Sequence, residues 1–435
     1  MKIKTLIFVF VFLAITIALV SCTKKILEPK GKELPKAMQP TKEYDYMLTP
    51  KYWDEQFAQV SDVAKMGKVK TDFDTMLKQG GYDKPKISGQ TDGENILLSG
   101  KYPALKDEKD ITEIFAKLPA GKAGFPGRIP SDKLIAYLKL PGLQPIVDTV
   151  HDYYQYIIDK GESTSQSNPV TQMIGLMMMV NIDIQEDVFS WMGPEMGFIM
   201  YKAVDPDKKE YLNTAFAMSI KDKAKAGEKI NKILNLTASF SGQKAKKEML
   251  TREKYKSFDM DVLDTSALNL PPMGFMGEEK KAVGKMNGGV LYTDDYIFIS
   301  DTYGLKQLAD IYNPGGAPGE ASTMEAYVDW DASMKYSSRY QEESVNEMRK
   351  QLKDNPELLK KFEDSFNEFT KMSKEKALGK SKMLMKVNPD GFQIDIETTK
   401  SVIELVNFMN KTIMEMMKTE EEKPGSTSEK KEEQV

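Results

Sequence analysis

One cysteine, Cys22, and one histidine, His151, are present among 435 residues. That scarcity removes several ways of building a protein. No disulfide can form within the chain, so a body of this size must be held by apolar burial and hydrogen bonding. A thiolate metal site and a zinc site of several histidines are excluded on the same ground, and a Ser-His-Asp triad would have to use His151. Apolar material is ample, and the 28 methionines either fill irregular gaps in cores or make adaptable surfaces. The formal charge is −4 with both signs interspersed, so no basic face points to nucleic acid.

Where the cysteine stands says as much as its scarcity. Lys2 and Lys4 open the chain, an apolar run follows, and Leu19-Val20-Ser21 lead into Cys22. A short basic start, an apolar run and a small residue before the cysteine have the form of a secretory signal. The run is shorter than the ~20 residues a spanning helix needs. It resembles the bacterial lipobox, with Leu19 and Ser21 in its aliphatic and small positions. That resemblance implies removal of residues 1–21 and lipidation of Cys22 by a thioether-linked diacylglycerol and a further acyl chain such as palmitate. Two chains suffice for stable anchoring, since each buried methylene contributes about 0.8 kcal/mol. Thr23 stands where many inner-membrane lipoproteins carry aspartate, which by the same resemblance favours the periplasmic face of the outer membrane in a two-membrane bacterium.

Beyond the anchor, residues 22–43 carry Lys24, Lys25, Lys30, Lys32 and Lys36 with Pro29, Pro35 and Pro40 and no apolar periodicity. They read as a tether, whose 18 residues from Thr23 to Pro40 reach roughly 55 Å if extended at about 3.1 Å per residue. Residues 44–127 read as a separate small α/β region: a helix through Tyr52, Trp53, Phe57 and Val60, strands around Ile87 and 96–98, and a helix over 110–118. The main body spans 128–313, with a strand over 134–138, a long helix to Ile158, and an apolar helix capped by Asn168-Pro169. Strands follow over 196–201, 213–220, 255–262, 289–292 and 296–300, with a helix over 221–234 and another over 304–311. A second, shorter copy spans 314–418: a strand over 326–330, amphipathic helices over 338–375, a hairpin over 383–387 and 392–396, and a helix over 400–417. Residues 419–435 are acidic, lysine-rich and without aromatics, and read as a disordered tail. The expected fold class is α+β, with antiparallel curved sheets, long helices packed on one side, and a pseudo-duplicated order.

This order resembles a family of bacterial envelope proteins, domain of unknown function thirty-three fifty-two. Its signature has an acidic residue, an apolar pair and then Trp-Leu-Gly-Asp-Glu, matched here by Asp187, Val188, Phe189, Trp191, Met192, Gly193 and Glu195. Pro194 replaces the usual acidic residue. The family's strand-turn-strand-helix unit looks like 292–312 and its inter-repeat strand like 326–330, so the likeness covers about 128–417. It implies an architecture and an envelope location but no activity.

Asp183, Glu186, Asp187 and Glu195 could serve acid-base chemistry or bind calcium. The plainer reading places Asp183 or Glu186 at a helix start and makes Trp191 and Gly193 a packed corner. No EF-hand loop accompanies them, and Asp205-Pro206-Asp207 and Asn388-Pro389-Asp390-Gly391 read as turns. His151 has Asp148 and Asp152 nearby but no Gly-x-Ser-x-Gly serine to serve. Met177-Met178-Met179 invites a copper(I) site, against which apolar neighbours favour core packing. Gly315-Gly316 lacks the Lys-Ser/Thr of a phosphate loop. No catalytic residue, metal or cofactor is therefore assigned. Met173, Ile174, Met177 and Met178 are the candidate contacts for a ligand or partner. The expected function is that of a membrane-tethered envelope lipoprotein, a non-enzymatic binding or structural protein for a lipid or an apolar partner segment. The alternatives are a carboxylate-dependent hydrolase of cell-wall glycans and an envelope assembly factor.

Overall fold

A computed structural model of the chain describes residues 81–405 and 408, apart from 84–85, 92, 107–108, 162–167, 180, 205–209, 241–249, 264–287, 337–344, 347–348, 351–352 and 354. The signal, the tether, the helix expected through Tyr52 and the acidic tail lie outside the described residues. β1 (Lys86–Thr91) and β2 (Asn95–Pro103) come first, then α1 (Lys109–Ala116) and β3 (Gly121–Lys122). A 3-10 turn (Pro126–Arg128) leads to β4 (Leu134–Pro141), α2 (Leu143–Asp159) and α3 (Pro169–Met179). A π-helical turn (Ile184–Phe189) precedes β5 (Met192–Val204), β6 (Glu210–Ile220) and α4 (Lys223–Phe240). β7 (Leu250–Tyr255), β8 (Phe258–Leu263), β9 (Gly288–Tyr292), β10 (Tyr296–Asp301) and α5 (Thr302–Ile311) follow. The chain continues through β11 (Ala321–Ser322), β12 (Met324–Asp329), α6 (Pro356–Glu375), β13 (Lys380–Asn388) and β14 (Gly391–Thr399).

The protein is α+β, built on a 12-stranded sheet ordered β1-β2-β14-β13-β12-β4-β5-β6-β10-β9-β8-β7. Every neighbouring pair is antiparallel. Residues directly opposed in such pairs share a face, which lets one apolar row be followed across nine strands: Leu98, Ile396, Met383, Ala326, Leu138, Phe198, Phe216, Ile299 and Val290. α2 packs on β5 on this face, and α1 packs on α2 and β13. Ala226 and Ile230 of α4 join Trp191, Met218, Tyr292 and Ile297 there in one core cluster. On the opposite face α5 sets Leu305 and Leu308 against Ile199, Ala215, Ala217 and Phe298. Among the described residues no helix is long and apolar enough to cross a membrane.

Three expectations change. The strands around Ile87 and 96–98 belong to the main sheet, because β2 pairs with β14 along its length. Local periodicity carries no sign of a partner almost 300 residues away. The single strand expected over 255–262 is a hairpin, β7 and β8, broken at Lys256, whose φ of 55° makes the turn. Helices lie on both faces rather than one, since Asp301 caps α5 through the Gly304 amide (2.7 Å) directly at the end of β10 and turns it onto the other side.

Gly197 marks the closest approach of β4 and β5. A Cβ there would lie 1.9 Å from the Leu138 carbonyl oxygen and 2.8 Å from the Phe125 ring. Gly197→Ala is expected to cost about 2–4 kcal/mol, as overpacking that only backbone movement relieves. Denaturant midpoints of the two proteins measure it.

Candidate functional site

The signature segment bridges the two faces of the sheet. At its start Asp183 caps the π-helical turn, accepting from the Gln185 and Glu186 amides at 2.9 and 3.0 Å. Asp187, fully buried, accepts from the Asp183 amide (2.9 Å), from Lys229 (3.1 Å) and from Lys232 of α4. Burial pushes its carboxyl up, but the hydrogen bonds from Lys232, the Asp183 amide and Lys229 outweigh this and bring it down to about 2. The indole of Trp191 donates to the Asp187 carbonyl at 2.9 Å and is itself buried in the core. Gly193 sits against Ser219, where any Cβ would lie 2.4 Å from the hydroxyl. These residues clamp α4 to the start of β5.

Glu195, at the other end, faces the opposite side. Its carboxylate accepts from the Gly124 amide (3.1 Å) and from the Tyr296 hydroxyl, while its backbone exchanges hydrogen bonds with Ser219 at 2.9 Å. One strand over lies Lys139 of β4, directly opposite Glu325 of β12. Lys139 is 1% exposed and donates to the carbonyls of Gly121 (3.0 Å), Ser322 and Thr323 (3.3 Å). Those carbonyls belong to and adjoin the β3–β11 ribbon, which Lys139 thereby pins to the sheet. Burial pulls the ammonium below its ordinary range, and the nearby charges of Glu195 and Glu325 oppose that pull. Glu325 is 0% exposed; its Oε1 accepts from the Tyr137 hydroxyl at 2.6 Å and lies 3.6 Å from Lys382. Burial, and then the hydrogen bonds to Glu325 and Glu195, push the Tyr137 and Tyr296 phenols up. The two glutamates and the lysine thus form a closed polar centre with no more than 5% exposure for any member.

α3 is capped by Asn168, which accepts from the Val170 amide at 3.0 Å and whose amide nitrogen lies 3.2 Å from His151 Nδ1. Ile174 and Met177 pack against the core cluster that holds Trp191 and Ile297. Core packing was favoured over a copper site for Met177 to Met179, with Met178 also a candidate ligand or partner contact; Met177 does pack in the core, whereas Met178 is 70% and Met179 83% exposed. The side chain of Met173 lies outside what the structure describes. A cavity of ≈ 330 Å³ is lined by Lys223, Ala224, Arg252, Asp259 and Tyr292. Its two cations are already paired, Lys223 with Asp259 at 3.1 Å and Arg252 with Asp261 at 2.7 and 2.8 Å. Among the described residues no group of three His, Cys, Asp or Glu side chains could hold a metal ion.

Sequence reasoning singled out Asp187 and Glu195 and missed Lys139, Glu325, Tyr296, Lys229 and Lys232. The signal for Lys139 and Glu325 was a charge within a largely apolar strand, toward the end of 134–141 and near the start of 324–329. No family model, curated protein or solved structure matches the chain.

Two outcomes are expected. Lys139→Met removes the donor from three backbone carbonyls and a nearby positive charge from two buried carboxylates, so it should cost about 3 kcal/mol. Hydrogen exchange should then quicken at Gly121 and Lys122 before the sheet itself opens. Because the Asp187 carboxyl is depressed in the folded state, its contribution is present above about pH 4 and is lost as pH falls from there toward 2. Asp187→Asn should flatten the stability curve over that window, as urea unfolding at a series of pH values reads directly.

Proposed function

We propose that this chain is a lipid-anchored protein of the bacterial envelope, exported on residues 1–21, acylated at Cys22, and non-enzymatic in its body. The observation that carries this reading is the placement of the sole cysteine directly after Leu19-Val20-Ser21 at the end of an apolar run behind Lys2 and Lys4. The destination that Thr23 favours is the periplasmic face of an outer membrane.

The geometry of the body supports a binding or structural role over hydrolysis. A glycan hydrolase needs two carboxylates converging on an open cleft. Asp187 and Glu195 lie on opposite faces of the sheet, each consumed by hydrogen bonds that hold elements together. Glu195 and Glu325 do approach Lys139 together, but beneath the β3–β11 ribbon and without exposure. The exposed apolar end of α3 is instead what a protein that holds a lipid or an apolar partner segment would present, and an assembly factor would present it too.

We also read the body as a curved, pseudo-duplicated sheet. Each half would run strand, helical excursion, hairpin: β4, α2 and α3, then β5–β6; and β12, α6, then β13–β14. The antiparallel β4–β12 pair lies between them, and the resemblance to domain of unknown function thirty-three fifty-two favours the same reading.

The test is expression of the full chain in a two-membrane bacterium, with intact-mass measurement and membrane fractionation. Acyl mass on residue 22 and membrane recovery are expected, with Cys22→Ala moving the chain to the soluble fraction or leaving its signal uncut. An unmodified Cys22 behind an intact residue 1 would overturn the reading.

A further inference from the structure

No charged residue occurs between Glu162 and Asp183, and α3 lies within that stretch. Its inner side is anchored, since Ile174 and Met177 pack against the core. Its outer side carries Met178 and Met179, the most exposed of the large hydrophobic side chains among the described residues. Water-facing surfaces ordinarily place charged residues at such positions, and their absence leaves nothing that would have to be desolvated on contact with an apolar medium.

We infer that the Met178–Met179 end of α3 is a contact with the surface of the bilayer in which Cys22 is anchored. This rests on the lipoprotein reading above and adds the part of the body that meets the membrane. Two observations choose a bilayer over a protein. First, two methionines offer far less than the ~800 Å² per partner of a stable protein interface. A bilayer contact that only supplements an anchor needs no such area, because the tether makes it intramolecular. Second, the length of the tether fits. Residues 23–80 separate the anchor from the described body, and the tether at the start of that stretch spans roughly 55 Å when extended. The body begins at Gly81 and Tyr82, and Tyr82 is buried on Phe392 with ring centroids 4.7 Å apart. Phe392 lies on the same face of the sheet as Leu138 and Phe198, the face that α2 covers and that α3 flanks. Methionine suits the contact because its unbranched thioether adapts to a fluid surface.

Lipidation leaves the chain without a free thiol, so Met179→Cys introduces a single labelling site. The full chain, lipidated in its host, carries an environment-sensitive fluorophore at residue 179 and is placed in phosphatidylethanolamine–phosphatidylglycerol vesicles containing a doxyl-labelled lipid. Glu397→Cys, exposed on the opposite face of the sheet, is the reference. Quenching at 179 is expected to exceed that at 397 by ~3-fold or more, and Met178→Lys in the same chain should return it to the reference level. Equal quenching at both positions would overturn the proposal. A blue-shifted but unquenched label would do so as well, since a protein surface would then be covering the site. Intact mass on the same samples reports whether Cys22 is acylated. A failure of the anchor is thereby separated from a failure of the contact.

Discussion

Lys139 places an ammonium group at the joint between β4 and β12, the pair that connects the flank of five strands to the flank of seven. A buried charge costs several kcal/mol unless its surroundings replace the water it has lost. Here the replacement comes from both flanks and from the roof above them. Glu325 belongs to β12, Glu195 to β5, and the carbonyls of Gly121, Ser322 and Thr323 belong to and adjoin the small ribbon. The arrangement also sets register. A slip of one residue between β4 and β12 would turn Lys139 toward the face that carries Leu138, Ala326 and Met383, away from the carbonyls it now donates to. The polar centre therefore selects among pairings that burial alone would leave close in energy.

The two flanks solve their burial differently. On the β5 side the sheet is covered on both faces, by α2 and α4 on one and by α5 on the other. β9 is accordingly buried at nearly every position. On the β14 side one face is apolar, and the other is largely polar apart from Leu384 and Leu97. The other carries Ser99, Gln393 and Asp395, joined by hydrogen bonds of 2.6 and 2.7 Å, with Glu397 exposed beyond them. A strand that faces water on one side alternates in sequence, and a strand buried on both does not.

That difference explains what could be read in advance. The alternating hairpin of β13 and β14 was legible from its apolar positions and its Asn-Pro-Asp-Gly turn, and α3 from its Asn168-Pro169 start. Asp187 and Trp191 stood out because four carboxylates cluster within 183–195 and because their order with Val188, Phe189, Met192, Gly193 and Glu195 resembles a family signature. The pairing of β2 with β14 was not legible, because register across such a separation leaves no local periodicity. Nor was the role of Lys139 or Glu325: a charge in an apolar strand announces a partner without naming it, and the partners come from four separate segments. The break at Lys256 was hidden for a further reason. A lysine with positive φ is disfavoured by its side chain, so composition gave no turn signal there.

Helix geometry gives the methionine run its meaning. Successive residues on an α-helix are turned by about 100°, so a run as long as Leu176 to Met179 cannot all face one core. Once Ile174 and Met177 are committed inward, Met178 and Met179 must swing toward solvent. The fold therefore dictates that these two positions be exposed, but not what occupies them. Glutamine, lysine or glutamate would serve an exposed helix position as well as methionine does, and would lower the apolar exposure that the body otherwise keeps small. The residues that folding leaves free to be polar are apolar here. Core packing does not account for that choice, and contact with an apolar surface does.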